Sequence, residues 1–299
     1  MDISTAIEMV KASGSYKLLQ KLVIDNHPHI GSMHACSNPS SGACLDTETT
    51  GFTHGTDKII ELGIVTYEYN PETGGIIRIL DRYNGFEDPG HPLSQDVIKV
   101  TGITDSQLNG QTIDNAKVEA MLAPADVIVC HNAAFDRPFV EDRFPSTRRK
   151  AFACSMSQID WAKEFITSRS LEYLLYKCGS WFIDAHRALN DAEGLLGLLA
   201  EQLPDSGVNV NATMLAKAFS VDTRIFAVGA PYDFKDDLKN RSYRWNDGSD
   251  GRPKAWWIDV PGDGSNELGW LSANIYKPGA DRQIVVEHVD ATTRFSKRG

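Results

Sequence analysis

The segment from Cys44 to Phe52, CLDTETTGF, places two carboxylates two residues apart directly after a short apolar run. On an extended strand, alternate side chains point to the same face of the sheet, so Asp46 and Glu48 would lie together and Thr47 would point the other way. Two like charges in one small volume are unfavourable unless protons or a hard divalent cation share the site. A solvent-exposed Asp-Thr-Glu turn explains this one segment equally well.

Two further segments supply groups of the same kind. CHNAAFD ends an apolar, β-branched run and places Asp136 near the start of a helix, and DAHRALNDAEGLL places His186 and Asp191 at the start of another helix. Taken together, four carboxylates and one histidine could hold two divalent ions and provide one proton acceptor. Each residue also has a structural alternative, since Asp136 could cap its helix and an isolated histidine is more often a surface residue.

The spacing of His186 and Asp191 predicts where the histidine lies. The two residues are five positions apart, which on an ideal helix separates them by about 140° around the axis. They would not share a helix face. We therefore expect His186 on the loop before the helix, where it could approach the carboxylates.

Length and composition predict a multidomain protein without membrane segments. The chain of 299 residues exceeds most single compact cores, and no apolar run is long enough to cross a bilayer. The N-terminus has no basic region followed by an apolar block, and the five scattered cysteines form no CxxC pair. These features predict a cytoplasmic protein with reduced thiols.

The charge distribution argues against nucleic-acid binding through bulk electrostatics. The net charge is -10, with 17 basic and 27 acidic residues in 1–204 but 13 of each in 205–299. All of the excess acid therefore lies in the first two thirds of the chain. A cluster of carboxylates that binds cations is one explanation, because bound cations invert the local potential.

Residues 1–41 are predicted to form an N-terminal helical segment and a linker. Apolar residues at Ile3, Ile7 and Val10, and again at Leu18 and Leu22, indicate two short helices interrupted at Ser13-Gly14. The linker HPHIGSMHACSNPSSG follows. Four of its side chains could ligate a metal, but their spacing matches no familiar zinc pattern, and a flexible connector is favoured; these are His27, His29, His34 and Cys36.

Residues 42–204 form the main predicted domain. Short β-branched runs indicate four strands, at 43–48, 59–69, 76–83 and 125–132. Helical patterns cover 134–143, 158–165, 171–178 and 188–202. A strand meander followed by alternating strands and helices predicts a mixed sheet covered by helices.

Residues 205–299 are predicted to form a small, Trp-rich α+β domain. They contain four of the six tryptophans, and the pattern indicates a helix followed by a hairpin that turns through residues 246–253. Aromatic side chains with cationic neighbours, as in LKNRSYRWNDGSDGRPKAWW, suit single-stranded nucleic acid. Tryptophans on short strands more often form the core of a small domain, and that interpretation is favoured here.

Three segments together resemble a known family. LDTETTGF, VIVCHNAAFD and HRALNDA match, in order, the three motifs of the DEDDh class of 3'→5' exonucleases in the DnaQ-like family, whose familiar member is the epsilon proofreading subunit of bacterial DNA polymerase III. Two supporting segments, DKIIELGIV and VTGITDSQL, are also similar to the family. The resemblance covers about residues 42–202.

The resemblance implies a fold, a reaction and a set of roles. It implies a ribonuclease H-like mixed five-stranded sheet flanked by helices. Asp46, Glu48, Asp136 and Asp191 would bind two Mg2+ or Mn2+ ions, and His186 would be the general base. Six residues would contact the substrate, with Phe52 and Phe135 also serving as packing residues: Thr49, Gly51, Phe52, Thr101, Asn132 and Phe135.

The implied activity is hydrolysis at the 3' end of DNA, most simply single-stranded, releasing nucleoside 5'-monophosphates in repair or end trimming. An RNA exonuclease of the RNase T or oligoribonuclease kind shares the same motifs, so the choice between DNA and RNA stays open. A nonenzymatic nucleic-acid-binding protein is a third alternative, although all five catalytic positions are filled.

Two departures from the family bear on partners. Some relatives carry a histidine where this chain has Thr101, so a stacking contact to the terminal nucleotide would be missing. No clamp-binding motif of the glutamine-leucine-phenylalanine type is present, and residues 205–299 do not resemble the polymerase-binding tail of the epsilon subunit. The expected partner is nucleic acid, without a membrane and without a stable polymerase or clamp association.

Overall fold

The computed structural model describes residues 2–276 and 283–297. The chain forms two compact units, Met1–Lys217 (unit 1) and Ala218–Gly299 (unit 2). The three-domain division made from composition stays a prediction. Within the described residues, no helix is both long enough and apolar enough to span a bilayer.

Unit 1 is built on a five-stranded mixed sheet with the strand order β4-β3-β2-β5-β6. The strands β2, β3 and β4 form an antiparallel meander, and β5 and β6 run parallel to β2. This arrangement is the ribonuclease H-like sheet expected from the resemblance. The strands are β2 (Ser40–Thr49), β3 (Ile59–Tyr69), β4 (Ile76–Phe86), β5 (Val127–Cys130) and β6 (Ala151–Cys154).

The helices of unit 1 follow and flank these strands. They are α1 (Ile3–Ala12), α2 (Gln95–Thr101), α3 (Asp105–Leu108), α4 (Asn115–Leu122), α5 (Ala133–Arg143), α6 (Leu171–Gly179), α7 (Ala188–Ala200) and α8 (Val210–Ala218), the last of which reaches the unit boundary. A separate pair of short parallel strands consists of β1 (Gln20–Lys21) and β7 (Trp181–Phe182).

The central strand β2 positions the acidic segment opposite β3. In the antiparallel register Asp46 lies opposite Gly63 and Glu48 lies opposite Glu61, and the register shifts immediately after Glu48. The stretch of β2 that carries both carboxylates pairs with β3, whereas the pairing of β2 with β5 covers Gly42 to Cys44 just before it. The four residues of β5 are all buried, which explains the continuous apolar run in the sequence.

Helix α7 begins directly above β3 because Gly63 has no side chain. A Cβ atom on Gly63 would overlap the backbone of Ala188 and Leu189 in the first turn of α7. Ala188 is itself fully buried. This close approach brings the start of α7, and hence Asp191, next to the acidic end of β2.

Three predictions of local structure are wrong. The second N-terminal helix is absent: Gln20 and Leu22 donate backbone hydrogen bonds to Ser180 O and Phe182 O, both at 2.9 Å, so this segment pairs as β1 with β7. One short 3-10 turn, Ile24–Asn26, precedes the predicted linker, and the linker itself contains a second, Ser32–His34, and the buried His27. It is therefore packed over part of its length.

The third error concerns residues 158–165, which form turns and no helix. Phe165 has a φ of +56°, a left-handed conformation that no α-helix continues. Trp161 is buried and donates from Nε1 to Ser155 O at 2.9 Å, so tertiary packing holds the turn. The strand β6 was missed because its four residues are too few to show a periodicity.

Unit 2 contains a four-stranded antiparallel sheet in the order β11-β8-β10-β9. The strands β9 and β10 form the predicted hairpin. The elements are β8 (Asp222–Ala227), α9 (Lys235–Asn240), β9 (Arg244–Asn246), β10 (Ala255–Pro261), α10 (Ser265–Asn274) and β11 (Ile284–Val289).

The tryptophans of unit 2 divide between core and surface. Trp256 and Trp270 pack against the buried cluster around Leu238, Tyr243 and Leu271, as the favoured interpretation predicted. Trp245 is 52% exposed. A role of this surface in binding nucleic acid stays a prediction.

The substitution Gly63→Ala tests the close approach of α7 to β3. The added methyl group must displace the helix backbone, so we expect a loss of about 2–3 kcal/mol in the free energy of unfolding, typical of overpacking. Denaturant titration measures the loss. In the matched control, Gly269→Ala, the new Cβ meets nothing within 4 Å on a helix, and stability should stay equal or rise slightly. Equal stability of Gly63→Ala and the parent would contradict the close approach.

Candidate active site

Three carboxylates from two distant parts of the sequence meet at the end of β2. Asp46 and Glu48 come from the strand, and Asp191 comes from the first turn of α7. One carboxylate oxygen of each lies within 4.8 Å of the others. The common face predicted for Asp46 and Glu48 is confirmed, and the alternative of a solvent-exposed turn is excluded.

Asp136 lies beside this cluster in a buried position. It is 2% exposed, and its Oδ1 accepts hydrogen bonds from Thr47 N at 3.2 Å and Thr47 Oγ1 at 2.8 Å. These bonds tie the first turn of α5 to β2. The alternative role as a helix cap is not observed, because the hydrogen-bond donors belong to another element.

The environment of the site raises the pKa values of its carboxylates. Burial, followed by repulsion from Asp136, Asp191 and Glu48, holds the pKa of Asp46 well above its usual range. Burial and the charges of Asp191 and Glu61 raise the pKa of Glu48 to about 8. Burial raises the pKa of Asp136 to about 7, although its bonds from Thr47 act in the opposite direction.

Asp191 is the least shifted member of the cluster. Burial raises its pKa to about 6, while the backbone N–H of Arg187 and the charge of His186 favour the ionised form. Arg187 N donates to Asp191 Oδ2 at 3.1 Å. This bond also satisfies a free N–H at the start of α7.

The carboxylate oxygens of this cluster are suitable ligands for a hard divalent cation. Every converging group is a carboxylate oxygen, and the raised pKa values mean that the charges repel each other until a cation or protons balance them. Mg2+ and Mn2+ prefer such oxygen ligands. The chain therefore has residues that can hold this class of metal.

His186 lies on the loop immediately before α7, as the spacing predicted. It is exposed, and its φ of +63° is unusual for a residue with a side chain. Such backbone strain persists only when the surrounding structure enforces it. The next residue, Arg187, provides that enforcement.

Glu61 and Arg187 form an anchor that the sequence analysis did not identify. Glu61 is fully buried, and Arg187 donates to it from Nη2 at 3.0 Å and from Nε at 3.2 and 3.3 Å. The backbone N–H of Ala188 also donates to Glu61 Oε2 at 3.2 Å. The available signal was a single charge inside the apolar run IIELGIV, because a buried charge needs a partner.

The aromatic residues named for substrate contact lie together. The ring of Phe52, 90% exposed, is 6.2 Å from the ring of Phe135, which is 5.1 Å from that of Phe139. Thr49 Oγ1 donates to Gly51 O at 2.6 Å and so closes the turn that carries Phe52.

Thr101 and Asn132 differ in how far their side chains are free to contact a substrate. Thr101 is buried, with its hydroxyl donating to Val97 O at 2.9 Å and accepting from Ile103 N at 3.1 Å. Asn132 is exposed at the start of α5, and its side chain makes no capping hydrogen bond there. The roles of both residues in substrate binding stay predictions.

Comparison with known families gives a match over the same part of the chain. Residues 43–199 match the family model RNase_T, described as exonuclease. This range includes all the carboxylates of the cluster, Glu61 and the loop that carries His186.

Curated relatives match in a small part of their length. DNA polymerase III PolC-type of Listeria welshimeri serovar 6b is 30% identical over 187 residues, covering 60% of this chain and 12% of the relative. The protein of the same name from Bacillus subtilis is 30% identical over 200 residues, covering 64% of this chain and 13% of the relative. The chain thus spans about an eighth of the length of these relatives.

Two solved structures are similar to part of the chain. "Exonuclease X in complex with 5' overhanging duplex DNA" has a TM-score of 0.43 and 22% identity, covering 59% of this chain and 99% of that chain. The nuclease domain of 3'hExo, a DEDDh family member bound to rAMP, has a TM-score of 0.42 and 17% identity, covering 56% and 92%.

The raised pKa values predict how stability depends on pH when metal is removed. The folded state holds protons on Asp136 and Glu48 up to about pH 7 and 8, whereas the unfolded chain releases them near pH 4. Stability from these groups is therefore fully present below about pH 4 and is lost as pH rises towards 8.

Melting temperatures in a chelator at pH 5 to 8.5 measure this loss. Added Mg2+ should restore stability most at the alkaline end, because it binds the ionised carboxylates. Glu48→Gln, which removes one titrating group, should reduce the pH dependence. A metal-free chain that becomes more stable between pH 5 and 8 would contradict the proposed charge cluster.

Proposed function

Because the chain belongs to the RNase_T exonuclease family, we propose that it is a metal-dependent 3'→5' exonuclease. Its substrate is the 3' end of DNA, in single-stranded form, and its products are nucleoside 5'-monophosphates. The convergence of Asp46, Glu48 and Asp191 within 4.8 Å carries the proposal. The proposed role is DNA repair or end trimming.

The proposed cofactors are two Mg2+ or Mn2+ ions. Asp46, Glu48 and Asp191 would hold them, with Asp136 oriented by its bonds from Thr47. When bound, such ions neutralise charge on the phosphate and acidify an attacking water molecule. The raised pKa values of the carboxylates support this role, since cation binding relieves their repulsion.

His186 is proposed as the general base. A neutral imidazole can accept a proton from water near neutral pH, where unperturbed histidine titrates. Its loop is exposed on one side and fixed on the other by the Arg187–Glu61 ion pair. The side chain of the histidine can thus approach a phosphate at the carboxylate cluster while the backbone of the loop keeps its position.

Phe52 and Phe135 are proposed to contact the terminal base. The edge-to-face arrangement of the two rings leaves Phe52 almost entirely open to solvent, and an aromatic face is a suitable platform for a nucleobase. Gly51 lies in the turn before Phe52 and gives the backbone room to approach the nucleotide. The negative net charge of the chain means that binding depends on the site itself and on its cations.

A panel of 3'-labelled single- and double-stranded DNA and RNA, with Mg2+ or Mn2+, tests the activity and substrate. We expect stepwise release of mononucleotides, fastest from single-stranded DNA. Asp46→Ala should lower the rate by more than about 100-fold, since loss of even an outer partner of a metal ligand costs 10- to 100-fold. The control Asp96→Ala, an exposed acid on α2, should retain activity.

Two outcomes would change the proposal. Faster digestion of RNA than of DNA would make RNA the preferred substrate, with the 2'-hydroxyl as the group that distinguishes the two. Equal rates for Asp46→Ala and the parent, with the fold retained, would reject the site.

The substitution His186→Ala tests the general base. At saturating substrate we expect kcat to fall by about 10²- to 10⁴-fold, the usual contribution of general base catalysis. The acid limb of the rate-pH profile should disappear as well, while Mg2+-dependent stabilisation persists because the carboxylates are intact. The control is His91→Ala, which changes an exposed histidine away from the proposed site residues. An unchanged acid limb in His186→Ala would exclude this role.

A further inference from the structure

A second cluster of possible metal ligands lies at the opposite end of α7. His27 and His29 come from the segment after β1, and Glu201 directly follows the last residue of α7. One ligand atom of each lies within 4.8 Å of the others. His27 Nε2 is 3.1 Å from Glu201 Oε1, and His29 Nδ1 is 3.2 Å from Glu201 Oε2.

The cluster contains a buried histidine whose contact with the carboxylate is poorly aligned. The His27 side chain is fully buried, yet its Nε2 makes no hydrogen bond within the described part of the chain. The short distance to Glu201 therefore lacks the alignment of a hydrogen bond. A buried polar atom without an aligned hydrogen bond is unfavourable, and a cation bound between the two side chains would satisfy it.

The carboxylate is held in place from the other side. Trp181 Nε1 donates to Glu201 Oε1 at 2.7 Å, as the outer partners of metal ligands commonly do. Gly179 leaves the space for this contact, because a Cβ there would overlap Trp181 and Glu201. Glu201 also lies at the C-terminal end of α7, where the helix dipole favours positive charge.

We propose that His27, His29 and Glu201 form a zinc site. Two imidazoles and one carboxylate suit Zn2+, whereas the all-oxygen cluster at the other end of α7 suits Mg2+ or Mn2+. The His29 side chain is 46% exposed, so solvent can supply the fourth ligand and the ion has an entry path. Bound zinc would fasten the segment after β1 to the end of α7.

The competing arrangement is a network of hydrogen bonds without metal. His29 N donates to His27 Nδ1 at 3.3 Å, which favours the tautomer with its proton on Nε2. Zinc binding through Nε2 requires the tautomer with its proton on Nδ1. The long, weak hydrogen bond from His29 N to Nδ1 is then lost. The two arrangements differ in one measurable respect, which is affinity for Zn2+.

Calorimetric titration of the full chain with Zn2+ in excess Mg2+ tests the proposal, since Mg2+ occupies the carboxylate cluster. We expect one tight zinc site and a higher melting temperature with zinc bound. His29→Ala should weaken the affinity by more than about 100-fold and abolish the thermal shift. This residue is half exposed, so its replacement should preserve the fold, which the melting curve without zinc verifies.

The matched control is His91→Ala, at an exposed histidine elsewhere in unit 1, and it should bind zinc like the parent. Glu201→Gln is a second variant expected to lose the site. Absence of tight zinc binding by the parent, or unchanged affinity in His29→Ala, would overturn the proposal. Neither result depends on nuclease activity, so these measurements test the zinc site separately from the proposed function.

Discussion

The repulsion among the clustered carboxylates at the end of β2 is the interaction on which the rest of unit 1 depends. Asp46 and Glu48 share one face of the central strand, and Asp191 and Asp136 approach from two helices. Burial, together with the charges of the neighbouring carboxylates, raises the pKa values of Asp46 and Glu48. A fold that keeps such groups together must hold them by other interactions. It is most stable when a cation is bound.

Those other means are backbone contacts and one ion pair. The absence of a side chain at Gly63 lets α7 start against β3, and Thr47 binds Asp136 from β2. The Glu61–Arg187 pair then fixes the loop before α7, although one partner is fully buried. Its cost of desolvation is offset by several hydrogen bonds from Arg187 and Ala188.

Helix α7 links the two candidate metal sites of unit 1. Its first turn carries Asp191, and Glu201 follows its last residue. Over 13 residues the helix spans about 20 Å, so the two sites are distinct. They also differ in chemistry, because one offers carboxylates alone and the other offers two imidazoles with a carboxylate. A zinc ion at the far end would stabilise the helix that positions Asp191.

Motif order and strand periodicity determined much of this protein from the sequence alone. They predicted four strands of the sheet, the common face of Asp46 and Glu48, and the loop position of His186, because local patterns encode these features directly. Only the tertiary structure decided the pairing of β1 with β7, the turns around Trp161, the Glu61–Arg187 anchor and the meeting of His27, His29 and Glu201. These contacts join residues far apart in the chain, so their energy depends on packing that no local pattern records.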